Sequence, residues 1–213
     1  MSSVLVPVAE RHALVHRGRW LSAGSLTYNA LEGALALIIG VSAGSVALFG
    51  FGIDSAIELA ACVVALWRLA ADAEPQRREQ VEWISRRVIG TLFLALALYI
   101  AYDAIRALVH HSAPESTVPG IVLAVASLWV MPYLAREKRK IGAALGSRAL
   151  VSESAQASIC TYLSAILLVG LILNAVAGWW WSDPVAAMLM VPIIAHEGIE
   201  GLRGEPPCAD CCD

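Results

Sequence analysis

The segment FGIDSAIELA, residues 51–60, places two carboxylates inside a stretch of the chain that is otherwise apolar. Apolar residues continue on both sides of it, over residues 45–68. Moving a carboxylate to the centre of a bilayer raises the insertion free energy by roughly 2.5–3.5 kcal/mol. Asp54 and Glu58 therefore require a cation, a proton or a polar partner that compensates them.

The composition is that of a membrane protein. Of the 213 residues, 58% are hydrophobic and only 15% are charged, and the mean hydropathy is +0.67. A spanning helix needs about 20 mostly apolar residues, and the chain contains six such segments separated by polar breaks. The sequence therefore predicts an all-α, polytopic membrane protein with six transmembrane helices, at 20–42, 45–68, 87–109, 118–135, 149–176 and 181–200.

Basic residues predict the orientation of these helices. If the six segments alternate, 14 of the 15 Lys and Arg residues fall on one side, and Arg106 is the exception. Under the positive-inside rule both termini are cytoplasmic. We expect a cytoplasmic segment at 1–19, a transmembrane domain at 20–200 and a cytoplasmic tail at 201–213. The inner stretches 71–87 and 136–148 are predicted to be connecting loops.

The tail contains three cysteines in the sequence CADCCD. On the cytoplasmic side they lie in a reducing compartment, so thiolate metal ligands are favoured over disulfides. Cys208, Cys211 and Cys212 are therefore candidate metal ligands, and a tail without fixed structure is the alternative.

The spacing of the two membrane carboxylates favours a shared cation. Residues four apart lie on one face of a helix, so Asp54 and Glu58 can approach the same ion. Because no Lys or Arg is expected at matching depth, the sequence argues against an internal ion pair. Protonated carboxyls that serve only as hydrogen-bonding groups are the structural alternative.

The fifth segment carries a second polar face, in LVSESAQASIC. Glu153, Gln156 and Cys160 stand at i, i+3 and i+7. At 1.5 Å per residue in antiparallel helices, Asp54 comes level with Cys160, and Glu58 with Gln156. These four residues are the predicted metal ligands. Glu153 lies nearer the cytoplasm, where we expect it to admit the cation or to handle protons.

The first and sixth segments supply further candidates. In SLTYNALEG, Asn29 is a candidate auxiliary ligand and Glu32 a candidate titrating group; interhelical hydrogen bonding explains both equally well. Asp183 followed by Pro184 predicts an N-cap and a first helical position, so Asp183 is expected to cap the sixth helix.

Over residues 20–200 the sequence resembles the cation diffusion facilitators, six-helix divalent metal/proton antiporters. The matching motifs are YNALEG (28–33), GVSAGS (40–45), GIDSAIE (52–58) and SDPVAAM (182–188). In the fifth helix the family's pattern of an acid, a histidine three residues on and an aspartate four further falls on Glu153, Gln156 and Cys160. Gln156 and Cys160 thus replace histidine and aspartate, and Glu58 replaces an aspartate.

The resemblance implies a homodimer that exports a divalent metal from the cytosol in exchange for protons. The excess of Arg over Lys, with abundant Ala, indicates a GC-rich bacterial genome and so predicts a bacterial inner membrane. It also implies a branch of the family that lacks the cytosolic C-terminal domain. Because metal ligands must be deprotonated, proton and metal compete for one site. A thiolate beside carboxylates favours Zn²⁺, with Co²⁺, Cd²⁺, Ni²⁺, Mn²⁺ or Fe²⁺ as other substrates.

Two other membrane functions fit the same scaffold. A non-transporting metal sensor or partner subunit would explain the altered ligands of the fifth helix, and a small multidrug-type proton/cation antiporter also uses a membrane carboxylate. The predicted spans contain no nucleophile, redox cysteine pair or phosphate-binding loop, so an enzyme is disfavoured. The chain has no basic domain that could contact nucleic acid.

Overall fold

The computed structural model describes the backbone of residues 8–70, 75–112, 114–115, 117–145 and 148–203, and side chains for most of these. Side chains lie outside the description at 8–12, 61–62, 64–70, 75–83, 85–86, 148–149 and 152. Over the described ranges the fold is entirely helical, which confirms the predicted class. The six helices are α1 (Val8–Ala43), α2 (Val46–Ala70), α3 (Pro75–His110), α4 (Val118–Leu145), α5 (Arg148–Ala177) and α6 (Ser182–Arg203).

The helices form a group of four with a pair packed against it. α1 packs on α2 and α4, and α5 packs on α4 and α2, so these four surround a shared interior. α3 and α6 pack mainly on each other and meet the group through α2 and α5. α2 contacts helices of both groups, and its carboxylates therefore lie where the two meet.

Five helices contain described segments that are long and apolar enough to cross a membrane. They are Ala13–Ala43, Arg87–His110, Val118–Leu145, Glu153–Ala177 and Ser182–Arg203. The remaining predicted span corresponds to α2, a helix of 25 residues. The bundle thus has the predicted multi-pass form.

Two glycines make the tight connections on the side where α2 and α6 begin. Gly44 separates α1 from α2 and Gly178 follows α5, each with a backbone φ of +65°. That left-handed conformation is open to glycine and strained for most other residues. It lets α2 begin two residues after Gly44, close to the predicted boundary at residue 45.

On the opposite side the helices extend beyond the predicted spans. α1 begins at Val8, α3 begins at Pro75 and α4 continues to Leu145, although the hydropathy boundaries were 20, 87 and 135. The predicted loops at 71–87 and 136–148 are therefore wrong over most of their length. Hydropathy marks where the membrane ends, whereas Arg, Lys and Glu are good helix formers that let a helix continue into water.

Candidate metal-binding site

A small cavity lies where α2, α3, α5 and α6 meet. Its volume, measured for the centre of a water-sized sphere, is about 10 Å³, which is close to the space that one water molecule needs. A single small ion fits the same space. Its lining residues are Asp54 and Glu58 of α2, Phe93 of α3, Gln156 and Ile159 of α5, and Ile194 and Glu197 of α6.

The two carboxylates of α2 are almost fully buried at this cavity. Asp54 is 6% exposed and Glu58 is 4% exposed. Among the described residues, the Asp54 carboxylate has no hydrogen bond and no ion pair, and its electrostatic neighbours are the acids Glu58, Glu32 and Glu197. A buried charge without a partner is costly, so this site has the electrostatics of a place that accepts a cation or protons.

The start of α2 is anchored by a side chain from α6. The Asp183 carboxylate accepts hydrogen bonds from the Val46 backbone N–H at 2.9 Å and from the Ser45 hydroxyl, and a longer one from the Ala47 N–H at 3.4 Å. These N–H groups have no partner within their own helix. The prediction that Asp183 caps the sixth helix is wrong: it lies in the first turn of α6 and caps α2, because the two helices begin side by side.

Of the predicted ligands on α5, Gln156 lines the cavity with Asp54 and Glu58. Cys160 is 1% exposed and does not belong to that lining. Its thiol lies beside Ser127 of α4 and within electrostatic range of Asp54, Glu58 and Glu32. The structure therefore brings three of the four predicted ligands to the cavity and keeps the fourth within the same cluster.

Two polar residues of α1 lie close to the carboxylates of Asp54 and Glu58. Asn29 and Glu32 are 0% and 1% exposed. Tyr28 donates a hydrogen bond to Glu32 Oε1 at 3.1 Å, but Glu32 Oε2 and both polar atoms of the Asn29 amide have no hydrogen-bond partner in the described part of the chain. The Asn29 side chain lies beside Glu58. Buried polar atoms are normally satisfied, and these orphaned atoms mark a place where a cation or water can bind.

A buried ion pair lies one layer further from the cavity. Lys138 is 1% exposed, and its Nζ is 2.9 Å from Glu153 Oε2. Lys138 also donates to the Ser25 hydroxyl at 2.8 Å, and Ser22 donates to Glu153 Oε2 at 3.1 Å. The network joins α1, α4 and α5 across the bundle interior.

Lys138 contradicts the prediction that no basic residue reaches the membrane acids. It was assigned to a loop, but α4 continues past it as a helix, and a long lysine side chain can bury its stem and carry its ammonium to a distant partner. The ammonium is also close enough to Glu58 to attract it electrostatically. Glu153 is thus the ion-pair partner of Lys138.

Sequence reasoning also missed Glu197. Its side chain reaches the cavity from α6, and candidate ligand atoms of His196, Glu197 and Glu200 all lie within 4.8 Å of one another. Counting residues from the start of α6, in the way that matches α2 with α5, puts Glu197 close to the level of Glu58. The predicted tail ligands Cys208, Cys211 and Cys212 lie outside the described residues.

These features define a class: a multi-pass helical membrane protein with an ion-sized acidic cavity between its helices. Residues 25–203 match the family model described as the cation efflux transmembrane domain. The chain belongs to this family, the cation diffusion facilitators. The family's substrates are divalent metal cations.

Two relatives show how far the similarity extends. The chain is 30% identical over 151 residues to the uncharacterized transporter sll1263 of Synechocystis sp., an alignment that covers 68% of this chain and 49% of that protein. It is 26% identical over 191 residues to transmembrane protein 163 of Xenopus laevis, covering 88% of this chain and 67% of the relative. The chain therefore spans about half the length of the Synechocystis protein.

Proposed function

We propose that this chain exports a divalent metal cation, with Zn²⁺ favoured, from the cytosol in exchange for protons. Its proposed ligands are Asp54, Glu58, Gln156 and Cys160, with Asn29 and Glu32 as auxiliary groups. The observation that carries the proposal is the Asp54 carboxylate, which is buried at an ion-sized cavity without a described hydrogen-bond or ion-pair partner. A cation at this position would compensate the charge that the protein leaves uncompensated.

The donor set supports the choice of metal. Carboxylate and amide oxygens alone would suit Mg²⁺, Ca²⁺ or Mn²⁺, whereas a thiolate shifts the preference toward Zn²⁺ and Cd²⁺. Cys160 lies within electrostatic range of both carboxylates, so a rotation of α5 that turns its sulfur toward Asp54 and Glu58 would complete a four-ligand site with Gln156. Four ligands are the usual number for zinc.

Proton exchange follows from the same chemistry. Carboxylates and a thiol must lose their protons before they hold a dication. In the metal-free state protons would neutralise the buried acids, and metal binding would release them. Alternating exposure of one such site to the two sides of the membrane couples inward proton movement to outward metal movement. Glu153 is held by Lys138, and we leave it outside the ligand set.

Transport in proteoliposomes tests the proposal. Wild-type protein should move Zn²⁺ when a pH gradient is imposed, and Co²⁺, Cd²⁺ and Mn²⁺ in parallel assays define its selectivity. Asp54→Ala should abolish the flux. Asp103→Asn is the matched control, because Asp103 is an acid of α3 that is 26% exposed and lies 3.9 Å from Arg106, outside the cavity. Absence of flux for all four metals in the wild type would refute the proposal.

A metal sensor or partner subunit on the same scaffold is the second candidate. The observation that favours it is the fifth helix, where Gln156 and Cys160 stand in place of the family's histidine and aspartate. A donor set altered in this way would bind metal without releasing it across the membrane. Calorimetric Zn²⁺ binding that depends on Asp54, without flux in the same preparation, would support this function.

The proposed assembly follows family membership, and the proposed location follows the excess of Arg over Lys in the composition. We propose a homodimer in a bacterial inner membrane with both termini in the cytoplasm. Light scattering in detergent should give twice the mass of the 22.6 kDa chain. Reporter fusions at residues 1 and 213 should both report the cytoplasmic side.

A further inference from the structure

Glu197 lines the acidic cavity and also belongs to a group of three potential ligands on α6, with His196 and Glu200. We propose that His196, Glu197 and Glu200 form a loading site for a divalent cation, which shares Glu197 with the cavity and passes the ion to Asp54 and Glu58. This inference rests on the proposed transport function and adds to it the residues that first capture the ion.

Depth along the two helices gives the order of the groups. α2 and α6 begin at the same level, because the Asp183 carboxylate binds the Val46 N–H at 2.9 Å. Glu58 lies 12 residues after Val46 and Glu197 lies 14 residues after Asp183. At 1.5 Å per residue these are depths of about 18 Å and about 21 Å, and Glu200 lies at about 26 Å. The acids therefore descend in steps of a few ångströms from the cavity toward the end of α6, the side predicted to be cytoplasmic.

The burial of the groups changes along the same path. The side chains of Glu200 and His196 are 62% and 69% exposed, Glu197 is half-buried, and Glu58 and Asp54 are buried. An ion that moves along this series loses its water gradually and gains protein ligands as it does so. Glu197 is the connecting group, because it both lines the cavity and belongs to the α6 cluster.

An exposed acidic cluster alone does not identify a site, and here the buried end of the path supplies a separate observation. Asp54 is more than nine-tenths buried, lines the cavity that Glu197 also lines, and has no described hydrogen-bond or ion-pair partner. The inner end of the path therefore accepts a cation, and among the described residues the α6 cluster offers a group of ligands through which the ion can arrive from that side.

The ligands of the loading site fit a borderline dication held weakly. One imidazole nitrogen and two carboxylate oxygens suit Zn²⁺ and Co²⁺. His196 Nε2 and Glu200 Oε1 are 3.9 Å apart, far enough for a metal ion to sit between them. With exposed side chains, water would complete the coordination, so binding should be fast and reversible, as a loading step requires.

The first experiment measures binding in a protein that cannot transport. Co²⁺ is added to the full chain carrying Asp54→Ala and Glu58→Ala, with Cys208, Cys211 and Cys212 replaced by serine so that the tail thiols do not contribute. We expect a saturable change in Co²⁺ visible absorption, which is lost when His196→Ala is added. Absence of saturable binding, or binding that His196→Ala leaves unchanged, overturns the proposal.

The second experiment measures transport against the Zn²⁺ concentration on the face that carries the end of α6. His196→Ala and Glu200→Gln should raise KM at least tenfold and leave kcat nearly unchanged, because they weaken the first binding of Zn²⁺ and do not affect its later transfer to Asp54 and Glu58. Loss of a group that only supports a metal ligand already lowers metal affinity about 10–100-fold. Glu197→Gln should raise KM and lower kcat, since it removes the connecting group.

The Asp103→Asn control should match the wild type in this assay. Suppose that the wild type transports Zn²⁺, that Asp54→Ala does not, and that the α6 variants have the KM of the wild type. This result overturns the loading site and leaves the proposed function intact. A wild type that does not transport, combined with Co²⁺ binding that depends on His196, refutes the transport function and retains the α6 site.

Discussion

Replacing Lys138 by methionine would remove the positive member of the ion pair that joins α4 to α5. Glu153 would remain 6% exposed, with the Ser22 hydroxyl as its described hydrogen-bond donor. Methionine retains most of the apolar stem, so the substitution removes charge more than volume. Removing one partner of a buried pair destabilises a protein by about 3–5 kcal/mol. That loss corresponds to more than about a hundredfold change in the unfolding equilibrium constant.

Two further variants separate the charge effect from packing. In Lys138→Met/Glu153→Gln neither member of this ion pair is left charged, and a glutamine can still accept the hydrogen bond from Ser22, so stability should return to within about 1–2 kcal/mol of the wild type. Lys140→Met is the matched control. Lys140 forms an ion pair of the same 2.9 Å length with Glu137, but its side chain is 73% exposed, and its loss should cost no more than about 1 kcal/mol.

Reversible unfolding in mixed micelles, followed by circular dichroism against mole fraction of SDS, measures these differences. The expected order of stability is wild type close to Lys140→Met, then the double variant, then Lys138→Met. If Lys138→Met were no less stable than Lys140→Met, or if the double variant were no more stable than Lys138→Met, the buried ion pair would not contribute the stability that we expect from its burial and geometry.

Three further outcomes follow from the packing and chemistry of the site. Asp183→Ala should lower stability by about 1–2 kcal/mol, since it removes the acceptor of the Val46 N–H while the Ser45 hydroxyl still accepts from the Leu48 N–H, and the same SDS titration measures it; an unchanged midpoint would contradict the capping role. Gly90→Ala should destabilise the α3–α6 contact by about 1–3 kcal/mol, because a Cβ there would lie 2.8 Å from the Gly198 carbonyl oxygen, whereas Gly24→Ala, with nothing within 4 Å, should not. The apparent Zn²⁺ affinity should fall as pH decreases, since protons compete for the ligands; calorimetry at several pH values checks this, and an affinity independent of pH would exclude proton competition.

Hydropathy and charge predicted the bundle because the bilayer imposes strong length and composition constraints. The boundary between α1 and α2 was predicted near Ser45, and α2 begins at Val46. The same constraints do not act outside the membrane. Hydropathy therefore did not predict how far α1, α3 and α4 extend on the side predicted to be cytoplasmic. The boundary predicted for α4 placed Lys138 in a loop, although it is a buried helical residue.

Helical spacing predicted part of the candidate site and missed the rest for identifiable reasons. Counting residues along antiparallel helices brought Gln156 to the level of Glu58, and both line the cavity. The direction of a side chain also depends on how its helix is rotated about its axis, and counting residues does not give that rotation. Cys160 lies beside Ser127 and is not part of the cavity lining. Which helix Asp183 caps, and whether Glu197 reaches the cavity, depend on which helices are neighbours. Sequence spacing within one helix carries no information about that.

In the proposed transport cycle, one buried acidic site binds a dication and protons in competition. Simultaneous recording of Zn²⁺ movement and internal pH in proteoliposomes, for the wild type and Asp54→Ala, tests this competition. We expect Zn²⁺ movement with an opposed proton flux in the wild type and neither flux in Asp54→Ala. Zn²⁺ movement that continues in Asp54→Ala, or that proceeds in the wild type without any proton flux, would contradict it.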